Sequence, residues 1–233
     1  MKTIMMLLYG DRYDYDDVNR VVASTQSRYS YLLYTDNPEK LRKEGLYPEV
    51  DTISLDSEWG TFNKIVMFDS DRFQECLYLD LDIIIQRPDL DDFFVWGNNK
   101  PAICKTYWKP EGFEADHGGG DFNSSVMSWN ISGADEIYKH FMKDPEYWIT
   151  KYKGQDDKYL FHEHKDKFMT YPKGKIYSFI FGYDYTEEDS KKIKRRDDYD
   201  IALLNGAAEL GRDLKAEYYA TFSDNYVGKE IYI

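Results

Sequence analysis

Two aspartates spaced two residues apart, Asp80 and Asp82, are the strongest chemical feature of the sequence. They lie in the run Cys76-Leu-Tyr-Leu-Asp-Leu-Asp-Ile-Ile-Ile85. Strand periodicity there places Leu77, Leu79, Leu81 and Ile83 on one face and Tyr78, Asp80, Asp82 and Ile84 on the other. An isolated Asp-x-Asp is most often the wet side of a half-exposed strand. This run, however, is apolar on both faces except at the two carboxylates, as in a buried parallel strand. It ends at Arg87-Pro88, so the pair sits toward the carboxyl end, where open α/β sheets bind ligands. Buried carboxylates this close repel one another and are driven to protonate unless a cation joins them. Residues i and i+2 are roughly 6.5 Å apart along a strand, whereas oxygens sharing a hard metal are only about 3 Å apart. The side chains must therefore lean together, or one must act through water or a bound ligand. All-oxygen ligation suits Mg²⁺ or Mn²⁺ and not Zn²⁺.

The elements that position the pair follow from periodicity. Ile4–Tyr9 reads as a first strand and Gly10–Asp16 as a loop. Asp17–Tyr29 reads as a helix with Val18, Val21, Val22 and Thr25 on one stripe. Tyr31–Thr35 is a second strand ended by the turn Asp36-Asn37-Pro38, Leu41–Leu46 a short helix and Thr52–Leu55 a third strand. Thr61–Phe73 is expected to be a helix with Phe62, Ile65 and Val66 inward, and Cys76–Ile85 the fourth strand. This β-α-β-α-β-α-β order implies a parallel sheet with helices on both faces. Further on, Pro101–Thr106, Ser124–Asn130 and Ile201–Leu204 read as strands. Ser132 is the expected N-cap of a helix holding Ile137 and Phe141, Gly154 precedes a shorter helix, and Glu187–Asp200 reads as a solvated loop. No repeat or long linker divides the 233 residues, and one domain is the expectation.

Composition narrows the partners. A formal charge of −13 argues against nucleic acid or an anionic membrane, which want a basic face. A phosphorylated ligand would need a local metal or lysine to reverse that field. Aromatics make up 17% of residues, with 22 Tyr, mostly packing groups and some of them stacking platforms. Cys76 and Cys104 sit in apolar stretches and read as reduced core thiols of an intracellular, cytoplasmic protein. The opening MKTIMMLLYG is too short for a signal h-region and reads as a buried strand. No run reaches the roughly 18 apolar residues of a membrane span.

Several ordered motifs carry a family resemblance from Ile4 to about Gly206. They are Tyr15 before Val21-Val22-Ala23-Ser24, Lys64 in Thr61-Phe62-Asn63-Lys64, and Asp80-Leu81-Asp82 followed by Asp89-Leu90-Asp91-Asp92-Phe93-Phe94. Phe122-Asn123-Ser124-Ser125-Val126 and Gly154-Gln155-Asp156-Asp157 complete them. Together they resemble the retaining GT-A glycosyltransferases of the glycogenin and bacterial galactosyltransferase type. The resemblance implies a Rossmann-like GT-A α/β domain, with a nucleotide-binding half at 1–97, a donor-sugar and acceptor half at 98–210 and a tail at 211–233. It implies a metal-dependent transferase that moves a hexose from a nucleotide sugar, UDP-sugar favoured, to an acceptor that the sequence does not identify. Tyr15 would lie near the base, Lys64 near donor phosphate and Asn123 on donor-sugar hydroxyls. Tyr9, Asp11 and Asp80 join them as donor-binding candidates. Mn²⁺ or Mg²⁺ would be held by Asp80 and Asp82.

The chain departs from the family pattern in two places. Gln155 and Asp156 exchange the usual acid and amide, so Gln155, Asp156 and Asp157 all stand as candidates at the reacting carbon. The family's late histidine ligand aligns with Leu203, which cannot ligate, and Asn205 is the nearest substitute; Arg212 and Lys215 are candidate stand-ins for the phosphate clamp. The histidines (His117, His140, His162, His164) match no family ligand, and His162-Glu163-His164 reads as an exposed polar segment. The glycines of His117-Gly118-Gly119-Gly120 read as a flexible loop at the site mouth. Competing readings are a nucleotidyltransferase, a dehalogenase-type phosphohydrolase, and a carbohydrate-binding module. The phosphohydrolase places Asp-x-Asp on its first strand and usually Thr or Val where Ile84 stands; the module has no need of paired buried acids.

Overall fold

The computed structural model describes residues 1–69, 75–98, 100–110, 120–187, 190, 192–193, 195–205, 213–222 and 229–230. The first half alternates as the sequence predicts. Strands β1 (Lys2–Leu8), β2 (Ser30–Thr35), β3 (Val50–Ser54) and β4 (Glu75–Leu79) are joined by helices α1 (Tyr15–Ser24), α2 (Pro38–Glu44) and α3 (Asn63–Val66). These four strands are mutually parallel. With β6 (Ala102–Lys105), β7 (Phe122–Asn130) and β8 (Met169–Thr170) they form one sheet in the order β3-β2-β1-β4-β7-β6-β8. Strand β7 runs antiparallel to both β4 and β6.

Period-two alternation sorts the core to two faces. Ile4, Met6 and Leu8 pack with Val18, Val21 and Val22 of α1. Met5 faces Phe62, Ile65 and Phe68 on the other side, with Ile137, Phe141 and Tyr159. Those last three belong to α5 (Ile131–Phe141) and α7 (Asp156–His164), with α4 (Asp91–Trp96) and α6 (Pro145–Lys151) also present.

Three predicted boundaries move. Helix α1 is capped by Asp14, whose carboxylate accepts from the backbone N–H groups of Asp16 and Asp17. It stops at Ser24, because Gln26 and Ser27 take left-handed φ values of 56° and 52°. The expected Thr61–Phe73 helix is a short 3₁₀ turn, Gly60–Phe62, running into α3; its expected end lies outside the described residues. The α5 helix begins at Ile131 with Asn130 at the N-cap position, so Ser132 falls inside its first turn.

The most consequential change is at the aspartates. The expected strand Cys76–Ile85 is two strands, β4 and β5 (Ile83–Ile85), broken at Asp80–Asp82. Strand β5 leaves the large sheet for a second one, where β11 (Ile201–Leu203) pairs with it antiparallel and with β9 (Ile176–Ser178) parallel. Arg20 of α1 makes the break possible. Its guanidinium donates to the carbonyls of Leu81 and Ile83, each at 2.5 Å, satisfying backbone groups that the ladder would otherwise serve. Among the described residues of the charge-dense segment after Glu187, Arg195 pairs with Asp197 and Arg196 with Asp198, while buried Asp200 pairs with Arg87 and Lys175. The segment also holds the short strand β10 (Lys192–Ile193), which pairs with β12 (Lys229–Glu230).

Candidate functional site

Strand order in the sheet runs outward from β1 to β2 and β3 on one side and resumes at β4 on the other. The carboxyl ends of β1 and β4 therefore flank a topological switch point, where α/β sheets open a crevice for ligands. The loop after β1 carries Arg12 and Tyr13, and the break after β4 carries Asp80 and Asp82.

Lys64 is at the centre of the cluster. It is only 6% exposed, and its ammonium lies 2.9 Å from Asp80 Oδ1, 3.0 Å from Asp80 Oδ2 and 3.1 Å from Ser124 Oγ. Asp156 Oδ2 is 3.9 Å away. Burial alone would favour neutral lysine, but Asp156 and Asp80 outweigh it and raise the Lys64 pKa. Tyr78 donates its hydroxyl to Asp80 Oδ1, and the Asp80 N–H donates to Ser125 O at 2.9 Å. Ser124 and Ser125 are available because the β6–β7 register shifts between Ile103 and Cys104, which takes both out of the β6 ladder.

The second aspartate has different partners. Arg12 Nη2 lies 3.4 Å from Asp82 Oδ2, and the Tyr13 hydroxyl faces the same carboxylate. Burial, then the charge of Asp80, push the Asp82 carboxyl upward, with Arg12 and Lys64 opposing. Asp157 is raised by burial and by Asp156. Asp156 is 4% exposed, and its Oδ2 is buried without a hydrogen-bond partner. Asp80, Asp82 and Asp156 thus converge on one buried ammonium and one guanidinium. Among the described residues, no group of three His, Cys, Asp or Glu is arranged to hold a metal.

The structure sorts the predicted site residues. Lys64, Asp80, Asp82, Asp156 and Asp157 come together. Gln155 is exposed at the N-cap position of α7, with no described contact to the cluster. Asn123 caps its own turn, accepting from Ser125 N–H at 3.1 Å. Asp11 lines a pocket with Leu8, Tyr13, Asp14, Asp36 and Lys40; half-buried Tyr9 follows β1 directly. Tyr15 is not beside the carboxylates. Its ring packs against Gly45 after α2, 3.1 Å from where a Cβ would stand, and Tyr13 takes the place next to Asp82. Asn205 comes near through the backbone, since Leu204 N–H donates to Asp82 O at 2.8 Å. Its Oδ1 accepts from Ser178 Oγ at 2.8 Å.

Further expectations change or fall outside the described residues. Lys215, a proposed phosphate clamp, pairs with Asp17 at 3.0 Å, and Arg212 lies outside the described residues. So do Gly206, His117, Gly118 and Gly119. Gly120 is buried against Phe161, where a Cβ would come within 2.4 Å of the ring, so it is a packing glycine and not part of a mouth. His162-Glu163-His164 is the end of α7, with His162 exposed as expected, Glu163 half-buried and His164 buried. His164 is 5% exposed and meets His140 Nδ1 at 3.1 Å and Tyr159 OH at 3.0 Å. Arg12, Tyr13, Tyr78, Ser124 and Arg20 were missed. Only Tyr13 had a usable signal, as an Asp-x-Tyr directly after the first strand.

No protein-family model and no curated protein sequence matches the chain. Solved structures match by shape. The galactosyltransferase LgtC, in complex with donor and acceptor sugar analogues, matches with a TM-score of 0.63 and 16% identity over 88% of each chain. An active-site variant of LgtC gives 0.61 at 16% identity, covering 88% of this chain and 87% of that one. The bifunctional glycosyltransferase WbbM gives 0.53 at 11% identity, over 88% of this chain and 45% of its own. The fold is therefore the α/β fold of the GT-A glycosyltransferases, as the motif resemblance implies. Among the described residues no helix is long and apolar enough to cross a membrane.

Proposed function

We propose that this protein is a metal-dependent glycosyltransferase that moves a hexose from a nucleoside diphosphate sugar, with UDP-sugar favoured, to an acceptor, with retention. The observation that carries this reading is the convergence of Asp80 and Asp156 on Lys64, with Asp82 paired to Arg12 beside them, at the switch point of this fold. The donor set suits a divalent cation. Two oxygen-only ligands lie together with more negative charge than Lys64 and Arg12 balance, and the Asp82 carboxyl is pushed upward by burial and by its neighbour. Asp80 and Asp82 would hold Mn²⁺ or Mg²⁺. The Asn205 carbonyl keeps one lone pair beyond its bond from Ser178. When bound, the cation supplies positive charge at the leaving diphosphate.

The protein's own groups do the rest. Transfer breaks the bond between the anomeric carbon and the diphosphate oxygen, which keeps the electron pair, and forms a bond from an acceptor oxygen to that carbon. Lys64 donates to Asp80 and Ser124, so its part is to hold Asp80 and Asp156 in place and to bring positive potential to the site. Asp156 has an unpartnered buried oxygen and would face the oxocarbenium character that develops on the sugar, a charge that nearby carboxylates favour. In the retaining route implied by the motif resemblance, the leaving phosphate takes the acceptor's proton. The reading is tested with a panel of nucleotide sugars, with and without Mn²⁺. Mn²⁺-dependent turnover that Asp80→Asn and Asp82→Asn each abolish, with circular dichroism unchanged, supports it. Metal-independent turnover, or phosphate release from a monoester without nucleotide-sugar turnover, overturns it. Product anomeric configuration read by proton NMR tests retention; inversion would assign Asp157, with its raised pKa, as the base.

A further inference from the structure

Arg12 reaches Asp82 across 70 residues of sequence. Its side chain is 53% exposed, while that of Asp82 is 17% exposed, so an exposed cation caps a largely covered carboxylate. The other charged and polar groups that face Asp82 are Asp80, which repels it, Lys64 and the Tyr13 hydroxyl. Lys64 is buried and donates to Asp80 and Ser124. Arg12 stands instead on the exposed loop after β1, with its guanidinium over the Tyr13 ring at 5.1 Å. Gly10, with φ of +69° and open space where a Cβ would stand, leads into that loop.

We propose that Arg12 is a built-in counter-cation for Asp82. It neutralises the carboxylate before substrate binds, and an incoming divalent cation displaces it. The freed guanidinium then engages the diphosphate that arrives with that cation. This inference rests on the metal-dependent reading above. The 3.4 Å separation is long beside the roughly 2.7–2.9 Å of a strong charge-assisted bond, so the pair is electrostatic and readily exchanged. Arginine stays protonated, so its competition persists at any working pH, and its planar fork matches two phosphate oxygens at once. The enclosed ammonium of Lys64 has no such freedom.

The test is Mn²⁺ binding without nucleotide, followed through the electron paramagnetic resonance of free Mn²⁺, on wild type, Arg12→Gln and Asp82→Asn. UDP titration at saturating Mn²⁺ follows. Removing a partly exposed partner should tighten Mn²⁺ binding by Arg12→Gln roughly two- to fivefold, the range set by such pairs. The same variant should bind UDP several-fold more weakly, and Arg12→Lys should keep Mn²⁺ affinity close to wild type. Equal Mn²⁺ affinity in wild type and Arg12→Gln, with binding lost in Asp82→Asn, removes the role of Arg12 and leaves the metal site standing. Failure of Mn²⁺ to bind wild type and Arg12→Gln alike overturns both.

Discussion

Replacing Lys64 by Met tests the buried charge cluster most directly. The substitution keeps the length and most of the volume of the side chain but deletes an ammonium 2.9 Å from Asp80, 3.1 Å from Ser124 and 3.9 Å from Asp156. Asp156 is 4% exposed and its Oδ2 has no hydrogen-bond partner, so Lys64 is the principal charge that offsets its desolvation. Removing one partner of a buried ion pair costs about 3–5 kcal/mol, because the other charge is left uncompensated. For a chain of this size that corresponds to a fall in Tm of roughly 6–20 °C. The pH dependence has a definite sign. The Lys64 pKa is raised on folding, so its contribution is fully present below its unfolded value and is lost only as pH rises above it. Across neutral pH the gap between wild type and Lys64→Met should be constant. Urea melts from pH 4 to pH 8 read this directly. Adding Asp156→Asn to Lys64→Met should recover part of the loss, and a double-mutant cycle measures that coupling. A Lys64→Met protein within about 1 kcal/mol of wild type at pH 7 would refute the reasoning, since electrostatic neutralisation would then not be what holds these acids in place.

Two further predictions follow from the α5–α7 face. Burial first, then the charges of His140 and Lys167, depress the His164 pKa to about 4, with Glu163 and Glu136 opposing. The unfolded chain therefore binds a proton between about pH 6.5 and pH 4 that the folded chain refuses. Stability should be full above that window and decline as pH falls through it, and His164→Gln should flatten the decline in urea melts. Gly120→Ala should destabilise the fold by about 1–3 kcal/mol, because a Cβ would enter the Phe161 ring. Chemical denaturation measures that cost.

The order of the first seven elements was legible because each has a strong local signature. Ile4, Met5, Met6 and Leu8 alternate to two faces, and the Asp36-Asn37-Pro38 turn ends β2 before α2, with Asn37 as its cap. Lys64 and Asp156 were legible as candidates through ordered motifs. Their contact was not, because it joins α3 to the start of α7 across β4 and β7. Tyr13 was missed for a related reason. Both Tyr13 and Tyr15 follow the first strand, and only tertiary packing puts Tyr15 under Gly45 and Tyr13 next to Asp82. His164 was read as exposed because α7 carries mostly polar residues near its end; its burial comes from α5, whose His140 closes over it.

The aspartate pair shows where the division falls. The sequence by itself indicated that two carboxylates lie toward the carboxyl end of a buried parallel strand, since the run from Cys76 to Ile85 is apolar on both faces except at them. It could not determine that the strand stops there. Ile83–Ile85 is apolar enough to continue in the first sheet or to enter another, and that choice was made by partners remote in the chain. Strand β11 offers a second ladder to β5, and Arg20 takes the Leu81 and Ile83 carbonyls. Tertiary structure alone decided that Asp80 answers to Lys64 and Asp82 to Arg12. Charge pairing depends on distance in space, and these partners come from one helix and one loop brought to one crevice.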